Sequence, residues 1–199
     1  MSQVIISVGR EFGSGGKNIA EQLARRFKIP IYDRHLITEI ANKTGLTPEE
    51  IEKYNEKPKN HLLSRRVNGY SNSIEDNIAE MQFNFIREKA ASGESFVVVG
   101  RCSETKLKKY PGLVSLFILG DMDAKIERVM QVYELSREDA EKFIAKKDKK
   151  RKRYHNYHVT GKWGDSRLYD LSVNSTKLGI DKTVDMLADY INARSEALK

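Results

Sequence analysis

Short apolar runs alternate with segments of helical periodicity along the 199 residues of the chain. Between the runs, apolar residues return at spacings of three and four, as in Ile19, Leu23 and Phe27, which predicts helices. Strands that alternate with helices favour a mostly parallel sheet covered on both faces, so we predict an α/β fold. The buried strands are predicted at the runs VIISV, IPIYD, FVVVG, VSLFIL and LSV.

Two longer segments lie between the second and third predicted strands. Residues 57–73 are polar and lack periodicity, so we predict a long loop there. An amphipathic helix follows, with Ile74, Ile78, Met81 and Phe85 on its apolar face. Since no internal repeat or low-complexity linker divides the chain, we predict one domain over residues 1–199, with a helical insert at about 34–92 and a lid at about 146–162.

Composition and charge narrow the classes of function. A hydrophobic content of 39% with 32% charged residues is typical of a globular protein, and no apolar run approaches the roughly 20 residues of a membrane span. The single cysteine, Cys102, excludes an internal disulfide and suits a reducing compartment, so we expect a cytoplasmic location and no membrane partner. The formal net charge of +7 favours anionic partners, with nucleotides and nucleic acids both possible.

A glycine-rich stretch, GREFGSGGKN at residues 9–18, lies between the first strand and the first helix, where phosphate-binding loops occur. The P-loop pattern G-x-x-x-x-G-K-[ST] is incomplete in both registers. In one register Gly16 takes the lysine position, and in the other Lys17 fits but Asn18 replaces the Ser or Thr. We predict an anion site rather than a tight turn without a ligand, with side-chain charge from Lys17 or Arg10.

Charged groups follow other predicted strands, and the carboxyl ends of parallel strands share one edge of a sheet. Arg101 ends an apolar run and needs a partner, which is either a structural carboxylate or a substrate phosphate. Asp33 can pair with Arg34 or Arg10, or bind a sugar hydroxyl. We therefore predict one cleft at this edge.

The basic run KKDKKRKR at residues 146–153 allows three interpretations: a solvated helix face, a nucleic-acid contact or a lid over phosphates. Asp148 and Arg151 lie about one helical turn apart, so the carboxylate can hold the arginine, and this favours the lid. His155 and His158 have no accompanying cysteine or carboxylate cluster in the sequence, so we predict no metal site.

Taken together, these residues resemble the cytidylate-kinase-like family, a branch of the P-loop nucleoside monophosphate kinases. The resemblance covers nearly the whole chain. It implies a three-layer P-loop kinase-type fold, with a five-stranded parallel sheet of order 2-3-1-4-5 flanked by helices and with a helical lid. It rests on the stretches SVGREFGSGGKNIAEQLARRF, IPIYDRHLI, FVVVGR, KKDKKRKRYHNY and YDLSVNSTKLGIDKTVDML.

The resemblance also implies a function: phosphoryl transfer from ATP, with Mg²⁺, to a small acceptor, most simply a nucleoside monophosphate. By position, residues 13–17 match the loop for the donor phosphates, Arg101 the group that binds the acceptor phosphate, and Asp148 with Arg151 the lid motif. Residues 174–176 resemble the loop beside the donor base. The chain departs from the family pattern at Gly16, Cys102 and Ile144, so the identity of the acceptor does not carry over.

The predicted site has three parts. Phosphate chemistry is assigned to Arg10, Lys17, Arg101, Asp148, Arg151 and Arg153. Donor nucleotide binding is assigned to Gly13, Ser14, Gly15, Gly16, Lys17 and Asn174, and acceptor binding to Asp33, Arg34 and Arg101. Two alternatives stay open: a nucleotide-binding sensor or partner protein without transfer activity, and an RNA-binding module that uses residues 146–153.

Overall fold

The computed structural model describes residues 3–33, 41, 47–49, 51, 66–67, 70–71 and 73–198. The strands are β1 Ile5–Arg10, β2 Ile31–Tyr32, β3 Arg66–Val67, β4 Tyr70–Ser71, β5 Phe96–Val99, β6 Leu113–Leu119 and β7 Leu171–Asn174. The helices are α1 Gly16–Phe27, α2 Ile74–Ala91, α3 Ser103–Lys106, α4 Met122–Tyr133, α5 Arg137–His158, α6 Ser175–Leu178 and α7 Ile180–Glu196. A 3₁₀ helix spans Ser166–Leu168.

The main sheet has five parallel strands in the order β2-β5-β1-β6-β7. Numbered along the chain within this sheet, the order is 2-3-1-4-5, which confirms the predicted fold. Strand β1 lies at the centre, and its pairing with β5 ends at Val8 while its pairing with β6 continues to Arg10. The carboxyl end of β1 therefore extends past its neighbour β5 and carries Arg10 to the edge where the predicted cleft lies.

Both faces of this sheet are covered, because successive side chains of a strand point to opposite faces and both sets are apolar here. On one face, Ile6 and Val8 of β1 pack with residues of α1 and α7, among them Leu23 and Leu187. On the other face, Ile5 belongs to a cluster that includes Phe85, Ile86, Phe96, Val98 and Leu107. The result is the predicted three-layer arrangement. No helix in the described ranges combines the length and the apolar character needed to cross a bilayer.

Two local predictions were wrong. Within the segment predicted as a loop over residues 57–73, strands β3 and β4 form an antiparallel pair, with Arg66 opposite Ser71. Strands of two residues are too short to show an alternating pattern in the sequence. In α2, Ile78 and Phe85 are buried as predicted, whereas Ile74 and Met81 are 47% and 41% exposed. The predicted helix that follows Asp33 lies mostly outside the described residues.

Helix α5 contains the whole basic run and begins directly after Ser136. Ser136 is its N-cap, and its hydroxyl accepts a hydrogen bond from the Asp139 amide at 3.1 Å. Near its start, α5 packs on α4 through Ala140 and Ile144, which are fully buried beside Ile126. The family that the sequence resembles has a lid arginine at the position of Ile144. In this chain, an apolar side chain packed in the core takes the place of that charged one.

Candidate active site

The glycine loop, residues 11–15, connects β1 to α1 in a conformation that needs glycine at two positions. Gly13 and Gly15 both have φ of 80°, in the left-handed region that side chains disfavour. A Cβ on Gly15 would also collide with the side chain of Ile180 and lie 3.0 Å from the Arg128 guanidinium. The three glycines at 13, 15 and 16 thus allow a compact turn directly before the helix.

The carbonyl groups of the glycine loop are tied to the protein behind it. Arg128 donates to the Gly13 carbonyl at 2.6 Å, and the Ser175 hydroxyl donates to the Ser14 carbonyl. The buried Ser14 hydroxyl donates to the Glu11 carbonyl at 2.9 Å and accepts from the Gly16 amide at 3.3 Å. In contrast, the amides of residues 13–15 have no hydrogen-bond acceptor within the described parts of the chain. With the N-terminus of α1, these amides form an anion-binding surface.

The two cations predicted to serve this loop, Arg10 and Lys17, both line the recess at the glycine loop, but they make different contacts. Lys17 is 54% exposed at its side chain and forms ion pairs of 3.7 Å with both Asp33 and Glu21. Lys17 is thus one partner of Asp33, which the sequence reasoning did not name. The suggested pairing of Asp33 with Arg34 stays a prediction, because Arg34 lies outside the described residues. The side chain of Arg10 lies close against Gly100 at the end of β5, on the cleft side of the loop.

A third cation, which the sequence prediction missed, lies behind the glycine loop. Lys125 of α4 is only 3% exposed, and its Nζ lies 2.9 Å from Glu11 Oε2 and 3.6 Å from Asp148 Oδ2. Asp148 Oδ1 in turn accepts a hydrogen bond from the Phe12 amide at 2.7 Å. We call Glu11, Lys125 and Asp148 the ion cluster; it connects the loop, α4 and α5.

Burial in the ion cluster changes the pKa of Asp148. Burial raises the pKa of the Asp148 carboxyl above its ordinary value, although the Phe12 amide and the Lys125 ammonium act in the opposite direction. Arg151, one turn along α5, lies 3.9 Å from Asp148 Oδ1 and donates to the Arg10 carbonyl at 3.2 Å. The predicted Asp148–Arg151 pair therefore reaches the glycine loop itself.

A second recess, the arginine cleft, adjoins the glycine loop, since Arg10 and Arg151 line both recesses. Three arginines from separate elements line it: Arg10 from β1, Arg101 after β5 and Arg151 from α5. Its other lining residues are Gly9, Gly100, Cys102, Glu104, Tyr154, His155, Trp163 and Tyr169. It lies at the strand-end edge where a cleft was predicted, and three of the predicted arginines line it. Their roles in phosphate binding stay predictions.

Arg101 is held in this cleft by an unusual backbone. Gly100, Arg101 and Cys102 have φ of 75°, 62° and 52°, and the left-handed region costs a non-glycine residue about 1–2 kcal/mol. Ser103 stabilises the turn because its hydroxyl donates to the Gly100 carbonyl at 2.7 Å. Arg101 is only 4% exposed. Strained backbone of this kind persists only where surrounding contacts hold it in place, and it is found most often at functional sites. The neighbouring Cys102 is also buried.

One wall of the arginine cleft carries a carboxylate–imidazole pair. His155 Nε2 lies 3.0 Å from Glu104 Oε1, and both side chains are almost completely buried. Burial and the nearby Glu104 carboxylate raise the pKa of Tyr169 on the opposite wall, so its phenol stays protonated at neutral pH. Burial also lowers the pKa of His158 to about 4, with a further contribution from the Lys106 ammonium, so this histidine is neutral at neutral pH.

Two of the predicted site residues, Arg153 and Asn174, do not line the arginine cleft. Arg153 is exposed on the outer face of α5. Asn174 caps α6: its carbonyl oxygen accepts from the Thr176 amide at 3.1 Å, and its amide donates to Asp121 at 2.8 Å. Their roles in phosphate and donor binding stay predictions.

Lys125 and the Glu104–His155 pair are the residues that sequence reasoning missed. A lysine in the first turn of a helix is unfavourable because the helix dipole is positive there. The position of Lys125 at the start of α4 was therefore the one feature of the sequence that could have indicated a special role for it. No spacing rule links Glu104 to His155, since the two are 51 residues apart.

The residues at the glycine loop do not provide an obvious protein ligand for Mg²⁺. Ser14, the nearest hydroxyl, is already engaged at both its donor and its acceptor sides. No group of three or more His, Cys, Asp or Glu side chains that could hold a metal ion occurs in the ranges that the structure describes. A magnesium ion here would therefore depend on oxygen ligands from the nucleotide and water.

The sheet order, the glycine loop and the arginine cleft define a P-loop kinase-type domain, and they support a nucleotide-binding phosphotransferase. The chain belongs to the cytidylate kinase-like family, whose model matches residues 5–177. No curated protein matches the chain in sequence.

Solved structures agree with this assignment of the fold. An uncharacterized protein from Eubacterium ventriosum is 39% identical, with a TM-score of 0.76 over 96% of this chain and 99% of that one. A gluconokinase from Sinorhizobium meliloti is 17% identical, with a TM-score of 0.60 over 98% and 95% of the two chains. A shikimate kinase from Bacteroides thetaiotaomicron is 15% identical, with a TM-score of 0.57 over 95% and 98%. At such low identity, the last two show the fold alone.

Proposed function

We propose that this protein transfers a phosphoryl group from ATP to a small acceptor in the cytoplasm, and that the acceptor is a nucleoside monophosphate. The observation that carries the proposal is the convergence of Arg10, Arg101 and Arg151 on one cleft beside a glycine loop with available amides. Three guanidinium groups in one recess suit the charge on two phosphorylated reactants.

The donor phosphates would bind at the glycine loop. The amides of residues 13–15 and the N-terminus of α1 offer hydrogen bonds and positive potential to an anion. Arg10 and Lys17, which both line the recess at the loop, would add side-chain charge. Mg²⁺, brought in with ATP, would supply further charge neutralisation.

The acceptor phosphate would bind at Arg101, whose guanidinium can hold two phosphate oxygens at once. A phosphate acceptor is already ionised, so this transfer needs positioning and charge neutralisation more than a catalytic base. The aromatic side chains of Trp163 and Tyr169 line the same cleft and offer apolar surface to a base. Arg151, carried on α5, would bring positive charge to the group in transfer and help to exclude water.

The proposal is tested by measuring ADP production from ATP with a panel of nucleoside monophosphates, with and without Mg²⁺. We expect at least one monophosphate to raise ADP production well above the rate with ATP alone. If ATP binds but no monophosphate is phosphorylated, the protein is a nucleotide-binding sensor or partner instead. RNA binding with a steep salt dependence, in the absence of ATP binding, would favour the RNA-binding alternative.

A further inference from the structure

We propose that Lys125 is the fixed cation of the donor-phosphate site, and that it takes the place of the missing P-loop lysine by positioning the loop rather than by contacting phosphate. It would neutralise Glu11 on the glycine loop and Asp148 on α5, and so make the binding of ATP depend on the ion cluster. This inference rests on the proposed function in so far as ATP is the donor.

The position of Lys125 is fixed on every side. Its stem lies under the loop, because a Cβ on Gly13 would be 3.2 Å from Lys125 Cβ and a Cβ on Gly120 would be 3.3 Å from Lys125 Cγ. Its ammonium reaches Glu11 at 2.9 Å, and the same Glu11 oxygen accepts from the Gly120 amide at 3.3 Å. Lys125 thus cannot leave without changing the packing behind the loop.

The charge of the ion cluster explains why a lysine is needed there. Two carboxylates, Glu11 and Asp148, lie beside amides that would receive a polyanion. Like charges that are partly buried repel strongly, because water screens them poorly. The raised pKa of Asp148 shows that its ionised form is already disfavoured with Lys125 present. Without the ammonium, these carboxylates would repel the phosphates of the donor.

Lys125 also links the two parts that a donor must meet. Glu11 belongs to the loop, Asp148 belongs to α5, and the Phe12 amide connects Asp148 back to the loop at 2.7 Å. Because both carboxylates share one ammonium, the position of α5 depends on the conformation of the loop. The Nζ atom is already committed to carboxylates and almost fully buried, so Lys125 is a positioning residue and not one that touches the nucleotide.

The test uses Lys125→Met, which keeps the length of the side chain and removes its charge. Calorimetric titration should show a loss of ATP affinity of more than tenfold, a smaller loss for ADP and no change for adenosine. The exposed Lys142→Met, which breaks a surface ion pair with Glu138, is the matched control and should leave all three affinities unchanged. Equal losses for the three ligands would mean general disruption of the site and would overturn the proposal.

A second variant tests the charge argument within the same site. Glu11→Gln combined with Lys125→Met removes one carboxylate together with the ammonium, and we expect it to recover most of the lost ATP affinity. No recovery would overturn the neutralising role of Lys125, because the charge of the Glu11 carboxylate would then not account for the lost ATP affinity. Lys125→Arg, which keeps the charge, should bind ATP better than Lys125→Met.

Hydrogen exchange separates this inference from the proposed function, because it needs no nucleotide. In Lys125→Met, exchange should become faster at the Phe12 amide and in α5 around Asp148 together, while the sheet stays protected. Unchanged exchange at both places would overturn the coupling between loop and helix. Failure of the unaltered protein to bind ATP would instead overturn the proposed function, and the exchange result would still decide whether Lys125 couples the two elements.

Discussion

Beyond its N-terminal packing on α4, helix α5 is attached to the rest of the protein at two places that differ in chemistry. Around Asp148 and Arg151 the contacts are polar: a carboxylate on the Phe12 amide, an ion pair with Lys125 and a guanidinium on the Arg10 carbonyl. One to two turns further on, Tyr154 packs in an apolar cluster with Phe83, Cys102 and Val159, and His155 pairs with the buried Glu104.

This difference indicates which attachment a ligand can change. The polar contacts around Asp148 and Arg151 are made to the glycine loop and to the end of β1, next to the amides that would receive a phosphate, so a bound donor can change them. The side chains around Tyr154 form a buried apolar cluster. Separating them would expose apolar surface to water, which phosphate contacts elsewhere would not offset. We therefore expect the half of α5 near the glycine loop to respond to nucleotides and the half near His158 to act as its anchor.

The largest expected effect is at Arg101, which lies beside the anchoring half. Arg101→Ala should weaken acceptor binding by about 1.5–3 kcal/mol, because a hydrogen bond to a charged group is lost. ATP affinity should stay nearly the same. Calorimetric titration with ATP and with the acceptor measures both. Equal weakening of the two ligands, or loss of folding, would make Arg101 structural.

The anchor should weaken in acid because of His158. Its pKa is about 4 in the fold and 6.5 in the unfolded chain, so the neutral form stabilises the fold above pH 6.5 and that stability is lost as the pH falls toward 4. Between pH 7 and pH 5 the loss from this group should be about 2 kcal/mol. Urea unfolding of the unaltered protein and of His158→Gln measures it. A pH dependence that is the same in both would contradict the assignment.

Nucleotides should act on the other half of α5. Hydrogen exchange in residues 146–162 should slow by about tenfold when ATP and an acceptor analogue are added, since ligand contacts reduce local opening. The slowing should be greatest around Asp148 and Arg151 and smallest near His158. Exchange that does not change at saturating ligand would remove the lid interpretation.

The smallest effect concerns Arg10 and Lys17, the two predicted sources of side-chain charge at the donor site. Arg10→Ala should lower ATP affinity several-fold more than Lys17→Ala, because Arg10 faces the cleft while Lys17 forms surface ion pairs worth about 0–1 kcal/mol. Calorimetric titration of the two variants compares them. A larger loss for Lys17→Ala would mean that the register ending in Lys17 is the functional one.

The fold could be predicted from the sequence because its signals are local. Apolar runs mark β1, β5 and β6, and the glycines at 13, 15 and 16 mark the turn between β1 and α1. The arginine cleft followed from the rule that strand ends meet at one edge, which placed Arg10 and Arg101 together.

The contacts that complete the site could not be predicted, because they join residues far apart in sequence. Lys125 meets Glu11 across 114 residues, and Phe12 meets Asp148 across 136. Asp33 does lie at the end of β2, as the sequence indicated. Its ion pair with Lys17 could not be predicted, because it depends on the direction in which the Lys17 side chain extends from α1. Such pairings are decided by tertiary packing, which residue spacing does not show.

The central claim is that the arginine cleft supports transfer between two nucleotides, and phosphorus NMR tests it most directly. With ATP, Mg²⁺ and the monophosphate that most strongly stimulates ADP production, the spectrum should show ADP and a new nucleoside diphosphate appearing in equal amounts. The same mixture with Arg101→Ala should form both much more slowly. ADP that accumulates with inorganic phosphate and no second diphosphate would contradict the claim, because the phosphoryl group would then pass to water.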